Sequence, residues 1–243
     1  MFKIYLSPST QEKNIGYGKF GAEEERMNIL CDKVQQILSQ YNQFTIYRNN
    51  PNWKLSEVIT DSNYYDIDLH LAIHSNANNG KSRGCEVYCN KFDTESHVYA
   101  NVFYKNLEGL TPTKDRGVKE GYNFYGQSKH MAELYKTLAN AVLIEVAFHD
   151  NKDDAKWIIE NTDLIAENIV DSILEIFEVE KVLENNVEFL DIESHWAKDD
   201  INKASSLGLV KGYGHNKFNP NSNLTRAEGT AMIINLYRLL IDK

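Results

Sequence analysis

The feature that most constrains this chain is an alternation of short strand-like runs with longer stretches of helical period. FKIYL (2–6), FTIYR (44–48), DLHLAIH (68–74), CEVYC (85–89) and VLIEVAF (142–148) read as strands bounded by turn residues. Between them, Met27, Leu30, Cys31, Val34, Ile37 and Leu38 recur at helical spacing within 22–40, and 95–107 reads as another helix. Helical segments around Trp157-Ile158-Ile159 and then Ile165, Ile169, Ile173 and Ile176 follow the last strand. Strands that alternate with helices need crossover connections. The expected class is therefore α/β, a mostly parallel sheet flanked by helices, with its site beyond the carboxyl ends of the strands.

VLIEVAF holds an oddity. Strict alternation puts Val142, Ile144, Val146 and Phe148 on one face and Leu143, Glu145, Ala147 and His149 on the other. An unpartnered carboxylate in a buried strand costs several kcal/mol, so Glu145 needs a reason to be there.

Bulk properties narrow the classes. A formal net charge of −9 argues against a nucleic-acid partner, which needs a clustered basic surface. No apolar run approaches the roughly 20 residues of a membrane span. The start, MFKIYLSPST, enters a strand pattern without the apolar region of an export signal, so the expectation is synthesis in the cytoplasm and action at the cell wall after release. Cys31, Cys85 and Cys89 are too few for a disulfide framework and read as reduced thiols.

Residues 178–187, EVEKVLENNV, are charged and lack a strong apolar period, which suggests a linker between a domain at 1–177 and a small, mainly helical module at 188–243. In that module Thr225 and Glu228 stand at capping-box spacing before an apolar helix.

Three residues converge on strand or helix ends. His74 closes the third strand, Glu145 lies on the last, and Glu24 opens the helix after the first. Such a set is economical for a zinc site with an open position and one carboxylate as general base.

The series resembles the zinc-dependent type 3 N-acetylmuramoyl-L-alanine amidases. It comprises IHSNAN (73–78), RGCEVY (83–88), RGVK (116–119), LIEVAFHDN (143–151), and Glu24 with Asn28 at Glu-x-x-x-Asn spacing. The resemblance implies a six-stranded α/β fold in which Glu24 and His74 bind Zn2+, Glu145 is catalytic, and Asn76 and Arg116 are candidates for substrate contact. The family's first zinc histidine follows the first strand, where this chain reads Ser7-Pro8-Ser9-Thr10. Gln11, His70 and His149 are possible replacements. His70 lies about 13 Å along its strand from His74, too far to share one ion. Gln11 offers only an amide oxygen. His149 is preferred, because a turn at His149-Asp150-Asn151 could fold it back over the metal.

The C-terminal module resembles a surface-layer homology (SLH) repeat through FLDIESHWAKDDI (189–201), LGLVKGYG (207–214), FNP (218–220) and LTRAE (224–228). This implies binding to an anionic secondary cell-wall polysaccharide, with Arg226 as charge partner and Trp196 as packing residue. A single copy suggests weak binding or self-association as a homo-oligomer. Together the two resemblances lead to an endolysin-like peptidoglycan hydrolase. The rivals are a catalytically impaired wall-binding protein and a zinc endopeptidase acting on the stem peptide.

Overall fold

The computed structural model describes residues 1–111, 116–122, 130–181, 189–214 and 216–241, with side chains described as far as 237. It divides into two compact units, Met1–Val179 and Glu180–Lys243. Of the expected linker, 182–187 lie outside the described residues. Glu178 and Val179 belong to the first unit, where Val179 donates to the Leu174 carbonyl (2.9 Å) and packs on the core.

The first unit runs β1 (Phe2–Pro8), α1 (Glu23–Leu38), β2 (Phe44–Arg48), α2 (Leu55–Tyr64), β3 (Leu69–Asn76), β4 (Glu86–Cys89), α3 (Glu95–Leu107), β5 (Val118–Glu120), α4 (Ala132–Lys136), β6 (Asn140–Phe148), α5 (Lys152–Glu160) and α6 (Thr162–Ile176). The six strands form one sheet in the order β2-β1-β3-β6-β4-β5. All neighbours are parallel except β4 and β6. Chain order reverses between β1 and β3, the kind of point where α/β sheets open a crevice at their carboxyl ends.

The two faces of the sheet differ sharply. On one, Ile4, Leu6, Leu71, Ile73, Val142 and Ile144 are fully buried in the main core, to which α1, α3 and α6 contribute. Helix α6 meets it through Ile165, Ile169 and Ile173, four residues apart, which keeps them on one stripe. The other face carries only a small apolar cluster, Ala72, Tyr88, Leu134, Ala141 and Leu143, and alternates it with polar groups. There β3 presents His70, Ala72 and His74 in turn, and β6 presents Ala141, Leu143 and Glu145.

One irregularity decides where the last strand points. His74 pairs with Glu145, but the next pair is Asn76 with Phe148, two steps on β3 against three on β6. The extra residue is a β-bulge, which flips the alternation beyond it. Phe148 therefore joins the face of Glu145, where the Arg116 guanidinium lies 4.9 Å from its ring centroid. His149 turns to the opposite side, onto the Phe20 ring at 5.3 Å.

The second unit contains α7 (Lys198–Ser206) and α8 (Arg226–Ile241). Its core is small: Phe189, Ile192 and Ile201, with Ala197 and Phe218 packed on them. Asp191 accepts from the Phe218 and Asn219 amides, each at 2.8 Å, which fastens the FLD stretch to the FNP turn. Thr225 and Glu228 form a reciprocal cap at the start of α8: the Thr225 amide donates to Glu228 Oε2 (2.7 Å) and the Glu228 amide to Thr225 Oγ1 (3.2 Å). Among the described residues no helix is long and apolar enough to cross a membrane.

Candidate active site

A cleft of about 800 Å³ opens over the carboxyl ends of β3 and β6, and its walls include Glu23, His74, Asn76, Tyr88, Glu133 and Glu145. At its centre His74 is held at both ring nitrogens. Nδ1 lies 2.9 Å from Glu23 Oε1, and Nε2 lies 3.7 Å from Glu133 Oε2. Burial opposes charge on His74, but the carboxylates of Glu133 and Glu23 outweigh it and hold the imidazolium well above the ordinary histidine range. Burial likewise disfavours charge on Glu23, and His74 overcomes it, so this carboxyl titrates below its usual range.

Glu23, not Glu24, reaches the site. It is buried in the first turn of α1, accepts from Asn14 Nδ2 (2.6 Å) and from the Ser75 amide (3.3 Å), and so ties the loop before α1 to the end of β3. Glu24 points elsewhere and accepts from Asn28 Nδ2 (3.2 Å). Successive helical residues are turned by about 100°, so the Glu-x-x-x-Asn spacing pairs two residues of one helix face beside the site. That corrects the expectation for Glu24.

Glu133 is the residue that sequence reasoning missed. Its Oε1 accepts from Ser7 Oγ (2.5 Å) and pairs with His70 Nε2 (3.0 Å), while His70 Nδ1 meets Ser62 Oγ (2.8 Å). Burial disfavours its charge, but His70 and His74 hold it far below the usual carboxylate range. The five-residue α4 that carries it, AELYK, is too short for a periodic signal.

Glu145 stands on β6 directly opposite His74. Its Oε2 is buried and has no hydrogen-bond partner among the described residues. Burial pushes its carboxyl up to about 8, with the charges of Glu23 and Glu86 adding to the rise and His74 opposing it.

His149 does not fold back over the cleft. It is fully buried, its Nδ1 meets Ser75 Oγ at 2.8 Å, and it lies behind Ser75 on the apolar side of the sheet. The bulge is the physical reason. The expected ligand trio of Glu24, His74 and His149 is thus not brought together. Gln11 lines the cleft.

Asn76 and Arg116 converge on one buried carboxylate. Glu86 Oε1 accepts from Asn76 Nδ2 (2.5 Å) and Tyr88 Oη (2.9 Å), and Oε2 accepts from Arg116 Nε (2.7 Å) and Lys119 Nζ. Asn76 lines the cleft, and Arg116 sits behind it, outside the walls. In the second unit Trp196 is 89% exposed and Arg226 is exposed at the start of α8, while the Glu228 carboxylate is taken by Thr225 and Tyr213. A cleft of about 600 Å³ there is lined by Tyr213, Phe218, Asn219, Leu224 and Met232 among others, with neither Trp196 nor Arg226 in its walls.

The surroundings of His74 fit a divalent cation by donor chemistry: one imidazole, three carboxylates and a buried carboxylate oxygen with no partner. Among the described residues no three His, Cys, Asp or Glu side chains are already drawn together as a cage.

Comparison with known proteins agrees with this geometry. A family model described as N-acetylmuramoyl-L-alanine amidase matches residues 4–175, and one described as S-layer homology domain matches 188–228. An uncharacterized cell wall amidase of Bacillus anthracis is 33% identical over 97 residues, 37% of this chain and 17% of its own length. The exoglucanase XynX of Acetivibrio thermocellus is 41% identical over 58 residues, 24% of this chain and 5% of its own. The chain thus spans less than a fifth of these curated relatives. The catalytic domain of CwlV, an N-acetylmuramoyl-L-alanine amidase from Bacillus (Paenibacillus) polymyxa, superposes with a TM-score of 0.64 at 23% identity, over 74% of this chain and 100% of that one.

Proposed function

Because the chain belongs to the N-acetylmuramoyl-L-alanine amidase family and carries an S-layer homology domain, we propose that it hydrolyses the amide between N-acetylmuramic acid and L-alanine in peptidoglycan. The observation that carries this reading is Glu145 Oε2, a buried oxygen left without a partner beside His74 at the floor of an open cleft. Such a carboxylate is suited to take the proton of an attacking water and hand it to the leaving nitrogen. Members of this family are generally zinc-dependent. His74 and the carboxylates at its two nitrogens would hold the ion, which when bound polarises the scissile carbonyl and makes water a nucleophile at neutral pH. Asn76 and Arg116, which share the Glu86 carboxylate, are the proposed substrate contacts, and Asn76 is the one of the two that lines the cleft.

The second unit is proposed to hold the enzyme on secondary cell-wall polysaccharide, with Trp196 and Arg226 as exposed contacts and with self-association through its exposed apolar side chains, such as Ile233 and Tyr237. An endolysin role belongs to the same proposal, since a wall hydrolase with its own wall-binding module is equipped for lysis. Expression inside a host should then be harmless until the membrane is permeabilised. Accumulation of the protein outside intact cells would reject that role.

Mass spectrometry of digested, purified walls tests the reaction itself. The expected products are glycans with a free lactyl carboxylate on muramic acid and peptides beginning at L-alanine. Cleavage within the stem peptide would instead select the endopeptidase rival.

A further inference from the structure

We propose that the aromatic stack Tyr122–His130–Tyr135, which starts in the wall of the cleft and continues outside it, binds the glycan strand beyond the muramic acid whose amide is cut. The inference rests on the amidase reading above and assigns the two halves of its substrate to opposite ends of the cleft.

The polar face of the sheet is reached from both ends. The loop after β1 brings Lys13 into the cleft at the carboxyl ends of the central strands. Strands β4 and β5 run against β6, so the chain leaving β5 emerges at the other end of the sheet. There the Met131 amide donates to the Gly121 carbonyl (3.1 Å), which sets Tyr122 and His130 side by side. Their rings stack with centroids 4.1 Å apart, and Tyr135, from α4, packs on His130 at 4.5 Å. The Lys91 ammonium lies 4.1 Å from the Tyr122 ring centroid and extends the stack by one layer. His130 lines the cleft, whereas Tyr135 is outside its walls and 51% exposed. A ligand that touches both rings therefore extends past the bond that is cut.

The chemistry of the two ends decides which half of the substrate lies where. The carboxylates of Glu23, Glu133 and Glu145 line the cleft, and Lys13 is the cation at one end of it. A stem peptide carries free carboxylates, which such a field repels and Lys13 attracts. The glycan is uncharged wherever muramic acid bears a peptide, and its pyranose rings offer faces of C–H bonds. Those faces carry partial positive charge and pack on the negative face of an aromatic ring. The tyrosine hydroxyls and the imidazole can exchange hydrogen bonds with sugar hydroxyls and acetamido groups. The stack holds its rings in place before any sugar arrives, which lowers the cost of binding.

Binding of N-acetylglucosamine oligomers, from dimer to hexamer, to the full chain tests the assignment without hydrolysis. Failure here would leave the hydrolase reading standing. In the wild-type protein the oligomers should shift the ring resonances of His130 and Tyr135, the tetramer more than the dimer, which separates this site from any binding by the second unit. Tyr135→Ala should weaken tetramer binding about five- to tenfold, and Tyr135→Phe, which keeps the ring face, should stay within about twofold of wild type. In hydrolysis, Tyr135→Ala should lose more kcat/KM on long glycans than on a single muramyl peptide. Ring resonances of the wild type that the tetramer leaves unmoved would overturn the proposal, however the variants fold. Equal kinetic losses on long and short glycans would also overturn it, and so would shifts produced by free stem peptide in place of the oligomers.

Discussion

The two faces of the central sheet are built from the same strands and do opposite things. One face, with Leu6, Ile73, Val142 and Ile144, is packed with apolar side chains as far as the Ser75–His149 pair at its rim, so its apolar part can be repacked at a cost in stability alone. The other, along 70–74 of β3 and 141–145 of β6, holds His70, His74 and Glu145 over a thin apolar floor. It gives up burial energy for titratable groups, and it leaves one buried carboxylate oxygen, Glu145 Oε2, without a partner among the described residues. Stability and chemistry have been assigned to different sides of a single layer. Substitutions on the two sides should therefore separate the two properties.

The largest effect is expected from Glu145→Gln. The amide is nearly isosteric but cannot accept a proton, so wall hydrolysis should fall by about 10²–10⁴-fold. The melting temperature of the metal-free protein should hold or rise, because a buried carboxylate that burial has pushed up to about 8 is replaced by a neutral group. Activity within a few-fold of wild type would remove Glu145 from the chemistry.

On the opposite face, Ile73→Ala leaves a cavity in close-packed surroundings and should cost about 2–5 kcal/mol of unfolding free energy. The folded fraction should still bind zinc and cleave walls at low temperature. Loss of zinc from a folded Ile73→Ala protein would show that the two faces are not separable.

His149 tests the border between them. It follows β6 directly, yet the bulge leaves it bonded to Ser75 Oγ on the apolar side. His149→Gln should therefore cost about 1–3 kcal/mol, the range for disturbing a buried hydrogen bond, with zinc retained. Zinc lost in proportion to His74→Ala would reinstate it as a ligand.

The apolar face was legible in the sequence because its signals are periodic. VLIEVAF, LHLAIH and the Ile165–Ile169–Ile173 stripe each state a burial direction over several residues, and the structure uses them so. The same period of two put His70 with His74 on one face of their strand and set Glu145 apart from Val142 and Ile144, while the pairing of β3 with β6 is what brings His74 opposite Glu145. What was not legible depended on single-residue events. One extra residue between Glu145 and Phe148 reversed the direction of His149. A five-residue helix after a stretch outside the described residues delivered Glu133, with no pattern long enough to announce it. The spacing rule at the start of α1 picked the wrong one of three adjacent glutamates, since a helix start places each on a different side.

That last point yields the smallest expected effect and the cleanest contrast within one helical turn. Glu24 is half-buried and its recorded partner is Asn28 on the next turn, an interaction worth a few tenths of a kcal/mol on a helix surface. Glu23 is buried and joins Asn14, His74 and the Ser75 amide. Changing either to glutamine alters one atom and removes one negative charge near the positive end of α1, a common loss that cancels in the comparison. What differs is the fate of His74. Without the Glu23 carboxylate its Nδ1 proton has a weaker acceptor and the ring loses its orientation. Glu23 is one of the two carboxylates proposed to hold the ion, and since loss even of an outer partner of a metal-binding histidine weakens metal affinity by about 10–100-fold, Glu23→Gln should lose at least that much. Glu24→Gln should stay within about twofold of wild type in zinc affinity and within about 0.5 kcal/mol in stability, as surface substitutions usually do. If chelator competition shows Glu24→Gln losing zinc and Glu23→Gln keeping it, the first turn of α1 is rotated relative to the structure described here, and Glu24 returns to the site.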